Sequence, residues 1–338
     1  MTRISILFNS KKTKHKKLRL TYAIIKNMNW LIYTAISVLS DSSRIYIDNY
    51  ISDYYYKGKG AASQKYFYAI AFIILAIILF IVGAVSSTSP LSSESIGALT
   101  LFLISGLTTS FAGIPYYKVL ELDNSTNLGI FVQLAPILYL ILGWLFLGDS
   151  ISFTQLIAFF VILAAPMLII FSANKQKDKH IELKAAAFAL LYVAMIVSAN
   201  LIFVKQNTAE LAFIVELSFT FLGKGIGNAI IMACMPKWRK RHKAVVKSSH
   251  GKVYRPLVCT FTTCIIKDFA QYSAMIAAPS IALASVVADS SKPVVIFLMG
   301  LIVTAIWPKF GREDLSRRSI IVHFVATILI VIGIILLQ

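Results

Sequence analysis

The feature that most constrains this chain is a series of uninterrupted apolar runs, each close to twenty residues long and separated by short polar or basic stretches. A helix rises about 1.5 Å per residue and the hydrocarbon core of a bilayer is about 30 Å thick, so runs of roughly 20 residues are long enough to span it. Candidate spans fall at 28–48, 66–86, 96–117, 127–147, 151–172, 184–205, 211–234, 256–279, 281–304 and 317–337. The runs are continuous rather than alternating, which favours helices over barrel strands. They raise the apolar share to 58%, against roughly 45–50% in soluble domains. The expected fold is therefore an all-α polytopic membrane protein with ten transmembrane helices. The least apolar spans are the first, which carries Asp41, Arg44 and Asp48, and the eighth, which carries Lys267 and Asp268.

A formal net charge of +18 would suggest nucleic acid in a soluble protein. Here the basic residues sit in Lys11 to Arg19, Lys175 to Lys179 and Pro236 to Arg255, between or outside the apolar runs, and no recognition motif accompanies them. Lys and Arg beside membrane spans normally face anionic headgroups. The expected partners are thus membrane lipid and a small-molecule metabolite, with no nucleic acid, and a homodimer is a compatible assembly. The three cysteines, Cys234, Cys259 and Cys264, lack a C-x-x-C spacing and imply neither a disulfide framework nor a zinc site. No metal or cofactor is expected. The basic start of the chain is not followed by a short apolar region with a small-residue cleavage site.

The chain also repeats itself. Pro136 in Gln133-Leu-Ala-Pro136, and Gly143 after it, recur 157 residues later as Pro293 in Ser290-Ser-Lys-Pro293 and as Gly300. Segments one and six align through Ser40 with Ser198 and Asn49 with Asn207. Together these matches argue for a duplicated five-helix unit. A duplicated unit with an odd number of spans inserts its second copy upside down, giving two inverted repeats about an axis in the membrane plane. The expected organisation is a basic tail over 1–27, a first repeat over 28–172, a basic linker over 173–183, and a second repeat over 184–338 that contains the basic loop 236–255.

Particular residues also resemble a known family. Pro115-Tyr-Tyr-Lys-Val-Leu120, Gln133-Leu-Ala-Pro136 and Leu145-Phe-Leu-Gly-Asp149 resemble the EamA-like permeases of the drug/metabolite transporter superfamily, in which a proline-bearing helix leads to an FLGE loop. Asp149 stands where that Glu is usual, and Gln155 matches a Gln of the next helix. Met28-Asn-Trp-Leu31 and Ile47-Asp-Asn-Tyr50 are similar to the first helix of one branch, with Asn49 in place of a Lys. The resemblance runs over 28–338 and is strongest from 111 to 172. It implies a ten-helix carrier with both termini in the cytoplasm. The distribution of Lys and Arg disagrees, because the basic loops lie on the side opposite the termini if all ten segments cross. A first segment that does not cross would put tail and loops on one side.

Charged groups within spans are unfavourable by roughly 2.5–3.5 kcal/mol on insertion scales and therefore mark candidate pathways. Asp41, Arg44 and Asp48 share one face of the first helix. They would either line an aqueous cavity and bind a charged or zwitterionic substrate, or neutralise one another. Lys267 and Asp268 are adjacent and point about 100° apart, so they are not expected to face the same groove; Asp268 and Tyr272 are. Asp289 and Lys292 are spaced for an ion pair just before Pro293, where the missing N–H disturbs a turn. With Gln133 and Pro136, this turn marks the best location for a site, the alternative being a plain kink. Glu216 has no opposite charge within a turn of its own helix and would suit a proton carrier if unpaired. Asn200 would bind substrate or join helices. Lys224 lies in Gly223-Lys-Gly-Ile-Gly227, whose spacing suits close backbone approach.

These readings point to a secondary transporter that moves a small polar or amphipathic metabolite by alternating access, through rocking of the two halves. No G-x-x-x-x-G-K-[ST] phosphate loop is present to drive it with ATP. Two other classes remain open at the level of sequence. One is a membrane scaffold or sensor that binds anionic lipid or a partner through the basic loop. The other is an integral-membrane enzyme, disfavoured because only His323 of five histidines lies in a span and no H-E-x-x-H cluster occurs. The expected location is the cell membrane, crossed many times.

Overall fold

The computed structural model describes residues 29–48, 50–56, 61–86, 93–122, 134–174, 183–206, 213–306 and 316–337. Among them there is no strand. The helices are α1 (29–48), α2 (Lys65–Ser86), α3 (Ser93–Leu122), α4 (Ala135–Leu147), α5 (Phe153–Asn174), α6 (Leu183–Gln206), α7 (Phe213–Cys234), α8 (Pro236–Ser248), α9 (Tyr254–Ala277), α10 (Ile281–Ile306) and α11 (Arg317–Leu336). Each of the ten apolar segments is helical over its described part. The basic stretch 236–255, expected as a loop, contributes one further helix, α8. By length and composition, α2, α3, α6, α7, α10 and α11 are able to cross a membrane; α4 and the apolar part of α5 are shorter.

Sequence patterning explains which face each helix turns outward. On α2, Ile70, Ile74, Ile77, Ile78 and Ile81 are exposed, whereas Ala69, Phe72 and Ala76 are buried. On α11, Ile320, Phe324, Ile328, Val331 and Ile335 are exposed while Ala326 and Ile330 are buried. Apolar side chains thus cover the outward faces as well as the inward ones, as expected where lipid rather than water is the outer solvent.

Small residues bring α3 and α7 together. A Cβ on Gly223 would fall within the van der Waals shell of the Leu103 carbonyl oxygen, and one on Gly106 would meet the Thr220 carbonyl oxygen. Only glycine at both positions allows the two backbones to touch.

Among the described residues, two large apolar cores result. One gathers Phe72, Phe102, Phe203, Phe221 and Tyr272 from α2, α3, α6, α7 and α9. The other gathers Tyr139, Phe159, Val197, Ile281, Val287 and Ile330 from α4, α5, α6, α10 and α11, with Trp30 of α1 at its edge. Each core draws helices from both the amino-terminal and carboxy-terminal halves of the sequence.

Local signals fix the junctions. Gly148 ends α4 in the left-handed region at φ 71°. Ser152 and Gln155 form a reciprocal capping box at the start of α5: Ser152 N–H donates to Gln155 Oε1 at 3.0 Å, and Gln155 N–H to Ser152 Oγ at 3.3 Å. The carboxylate of Asp149 accepts from the backbone N–H of Ile281 at 3.0 Å, placing an anion at the positive end of α10. The loop after α4 is thereby tied to a helix of the second half.

Candidate functional site

The site begins with intrahelical geometry. On α1, Arg44 lies one turn from both Asp41 and Asp48, and its guanidinium bonds each of them, at 2.8 and 3.0 Å. On α10, Lys292 reaches back one turn to Asp289 at 2.8 Å, and Ser285 donates to the same carboxylate at 2.9 Å. Pro293, the next residue, has no N–H to offer the carbonyl of Asp289 four positions back. Both pairings follow from the spacing of residues three and four apart.

Packing then joins the two stripes. Lys292 Nζ approaches the second oxygen of Asp41 at 2.9 Å, so Asp41 is held by one cation from its own helix and one from α10. Tyr46, further along α1, donates its hydroxyl to the carbonyl of Ile296 on α10 at 2.8 Å. Asp48 accepts from Thr260 of α9 at 2.8 Å.

A second ion cluster sits on α9. Asp268 bonds Lys224 of α7 through one oxygen and Lys267 through the other, the latter at 3.2 Å. The expectation that Lys267 and Asp268 cannot serve one groove is therefore corrected. The two Cα–Cβ bonds do diverge, but the four-carbon stem of Lys267 swings its ammonium back across the turn. Lys224 lies among the glycines of Gly223-Lys-Gly-Ile-Gly227. Those glycines do pack against α3, and Lys224 also reaches Asp268 while lying over the rings of Phe72 and Phe221 at 5.8 and 5.5 Å. Lys267 is close enough to Asp41 for their charges to interact, which links the two clusters.

The ion-paired groups are matched in number. Arg44, Lys224, Lys267 and Lys292 face Asp41, Asp48, Asp268 and Asp289, four cations against four carboxylates. Asp41, Asp268 and Lys224 have side chains only 6%, 4% and 5% exposed, whereas Arg44, Lys267 and Lys292 retain 27%, 22% and 20%. Arg44, Lys267 and Lys292 are thus the partly accessible members of the network. Tyr116 of α3 and Tyr192 of α6 pack against each other with ring centroids 5.3 Å apart.

The remaining sequence candidates distribute as follows. Asn200 donates to the hydroxyl of Tyr139 across the α6–α4 contact, and Tyr139 lies within electrostatic reach of Asp289 and Lys292. Tyr272 stacks on Phe203 at 3.8 Å and shares a side-chain hydrogen bond with Ser105. Pro136 is buried in the first turn of α4 and so opens that helix rather than kinking it. Gln133 lies outside the described residues. Glu216 is fully buried in the first turn of α7, about 12 Å along the helix from Lys224. It does have a partner in the fold, which removes the premise of an unpaired carboxylate.

Sequence reading missed Tyr46, Thr260 and Tyr139, each of which completes a polar contact with a helix distant in sequence. It also missed Lys65, whose ammonium is buried at the start of α2 and bonds Asn228 and the Ser110 carbonyl oxygen, both at 3.1 Å. A tyrosine or lysine at the edge of an apolar run carries no signal by itself.

Comparison with known proteins agrees with this picture. The model of the EamA-like transporter family matches residues 60–171. A permease-like protein, YdzE of Bacillus subtilis (strain 168), is 32% identical over 76 residues, a stretch that covers 92% of that protein and 22% of this chain.

Proposed function

We propose that this chain, which belongs to the EamA-like transporter family, is a secondary transporter that carries a small polar or amphipathic metabolite across the cell membrane by alternating access. Family membership and the run of apolar helices support an integral membrane transporter over an enzyme. The finer reading rests on one observation: a partly accessible ion network lies at the junction of α1, α9 and α10.

The network has a property suited to a moving contact. Breaking a buried ion pair is costly when it strands a charge. If Asp41 and Lys292 part, however, Asp41 keeps Arg44 and Lys292 keeps Asp289. The link between α1 and α10 is therefore breakable without leaving either ion alone. A substrate bearing a cationic or anionic group would take the place that one partner vacates. Asp41, Arg44, Lys267, Asp268, Asp289 and Lys292 form the proposed binding surface, with Asn200, Tyr272 and the Pro293 turn supporting it.

Inverted repeats are supported by an exchange of contacts. Tyr139 of α4 and Ile296 of α10 are separated by the same 157 residues as Pro136 and Pro293. Tyr139 is bonded by Asn200 from the first helix of the second half, and Ile296 by Tyr46 from the first helix of the first half. Two helices of equal rank thus each grip the leading helix of the other repeat. Both large apolar cores mix the halves and share α6, which places that helix at the centre of the proposed movement.

The test is flux in proteoliposomes with labelled amino acids, nucleosides and sugar derivatives. Uptake above empty vesicles for one class, abolished by Asp41→Asn and by Lys292→Met, is expected. Flux equal to that of empty vesicles for every class would overturn the transport reading. Flux that survives undiminished in both Asp41→Asn and Lys292→Met would overturn the moving link.

A further inference from the structure

The amphipathic helix α8 carries a second feature, independent of the transport reading. Its inner face is fixed to the bundle. His242 and Val245 are buried, Val245 packs with Ile51, Tyr56, Val253 and Leu257, and His242 Nδ1 lies 2.9 Å from the hydroxyl of Tyr56. Arg241 donates to the Tyr56 carbonyl oxygen at 2.9 Å. The helix therefore lies against the end of the bundle rather than projecting from it.

Every exposed charge on the helix is basic. Lys237, Arg239, Lys240, Lys243 and Lys247 are exposed, as is Lys252 in the following turn. No Asp or Glu occurs anywhere in 236–255. Lys237 and Lys240, Lys240 and Lys243, and Lys243 and Lys247 are three or four residues apart, a spacing at which like charges repel. The protein supplies no carboxylate from this stretch to relieve that repulsion.

The surroundings indicate what does. Tyr50 and Tyr54 are exposed beside this end of the bundle, their rings stacked at 5.4 Å, and Tyr254 is exposed where α9 begins. Exposed tyrosines are enriched at the headgroup level of a bilayer. A basic helix held flat at that level meets lipid phosphate rather than bulk water.

We infer that α8 and the turn after it form a docking platform for anionic lipid headgroups. The ligand chemistry is a phosphate monoanion presented at a membrane surface, with each lysine worth about fivefold in affinity near such a surface.

The test uses the full-length protein in detergent, incubated with an equal mixture of phosphatidylglycerol and phosphatidylcholine and then analysed for retained lipid by native mass spectrometry. The wild-type chain is expected to enrich phosphatidylglycerol, with the enrichment falling as salt is added. Replacing Lys237, Lys240, Lys243 and Lys247 together by Gln lowers the enrichment at least tenfold, whereas replacing the same four by Arg retains it. Equal retention of both lipids by the wild type, or unchanged enrichment in the Gln variant, overturns the proposal. Displacement of the lipid by inorganic phosphate, beyond that caused by sodium chloride at the same ionic strength, overturns it in favour of a soluble ligand. A platform meant for a protein partner would give no lipid preference, and that outcome also counts against it.

Discussion

Asp41 and Lys292 meet at 2.9 Å although they belong to the first and second halves of the chain, and each has another counter-ion on its own helix. Asp268 and Lys224 differ: both are almost fully buried, and among the described residues the ammonium of Lys224 has aromatic faces but no second carboxylate beyond Asp268. The two pairs should respond differently to the same chemical change. Asp41→Asn is expected to cost only about 1–2 kcal/mol of stability, near the value of one charge-assisted hydrogen bond. Asp268→Asn strands the Lys224 ammonium and is expected to cost about 3–5 kcal/mol. Denaturant titration of the two variants in one detergent checks the order; equal losses would refute the argument from second partners.

The α3–α7 contact predicts a steep response to a single methyl group. Gly223→Ala drives a Cβ into the Leu103 carbonyl oxygen, a backbone atom that cannot rotate away. A loss of about 2–3 kcal/mol is expected from overpacking. Gly97→Ala in the same α3 has open space around the new methyl and should be neutral or slightly stabilising through helix propensity. Thermal unfolding of the two variants, read side by side, makes the comparison.

Asp149 has a capping role that does not depend on any substrate. Asp149→Ala removes the carboxylate that accepts from Ile281 N–H at the start of α10, and about 1 kcal/mol should be lost. Hydrogen exchange should rise at the first turn of α10 and remain unchanged at its far end. Uniform exchange along α10 would argue against a local cap.

His242 gives the junction of α8 with the bundle a pH dependence. Burial lowers its pKa below the ordinary value, and its Nε2 is enclosed without a hydrogen-bond partner. The groups around it are Tyr56, Tyr66 and Tyr254, with no carboxylate among these contacts to favour the charged ring. In the folded chain the imidazole stays neutral at a pH where the unfolded chain has taken up a proton. The unfolded state then binds more protons, so stability falls as pH drops below about 6.5. A melting curve followed from pH 8 to pH 5 should show this loss, and His242→Phe should flatten it.

Sequence reading reached the helices and the local charge pairs. Segments one and nine, read as charged helices, do carry Asp41 with Arg44 and Asp289 with Lys292 at one-turn spacing. It misread residues whose side chains are long or whose partners are distant. Lys267 reaches Asp268 against the divergence of their backbone bonds, and the stretch 236–255 holds a helix because its inner positions, His242 and Val245, find a surface only in the folded bundle.

The sequence by itself determined that lipid is the solvent, that the chain is helical, and that opposite charges lie a turn apart within single helices. All three follow from apolar run length and the 3.6-residue period, which are local properties. Only the tertiary structure decided that Asp41 meets Lys292, that Lys224 meets Asp268, and that Tyr46 reaches Ile296 across 250 residues of chain. Such pairings depend on how closely and at what rotation helices pack. That is set jointly by many small contacts, such as Gly106 and Gly223 against facing backbones, and no single stretch of sequence encodes it.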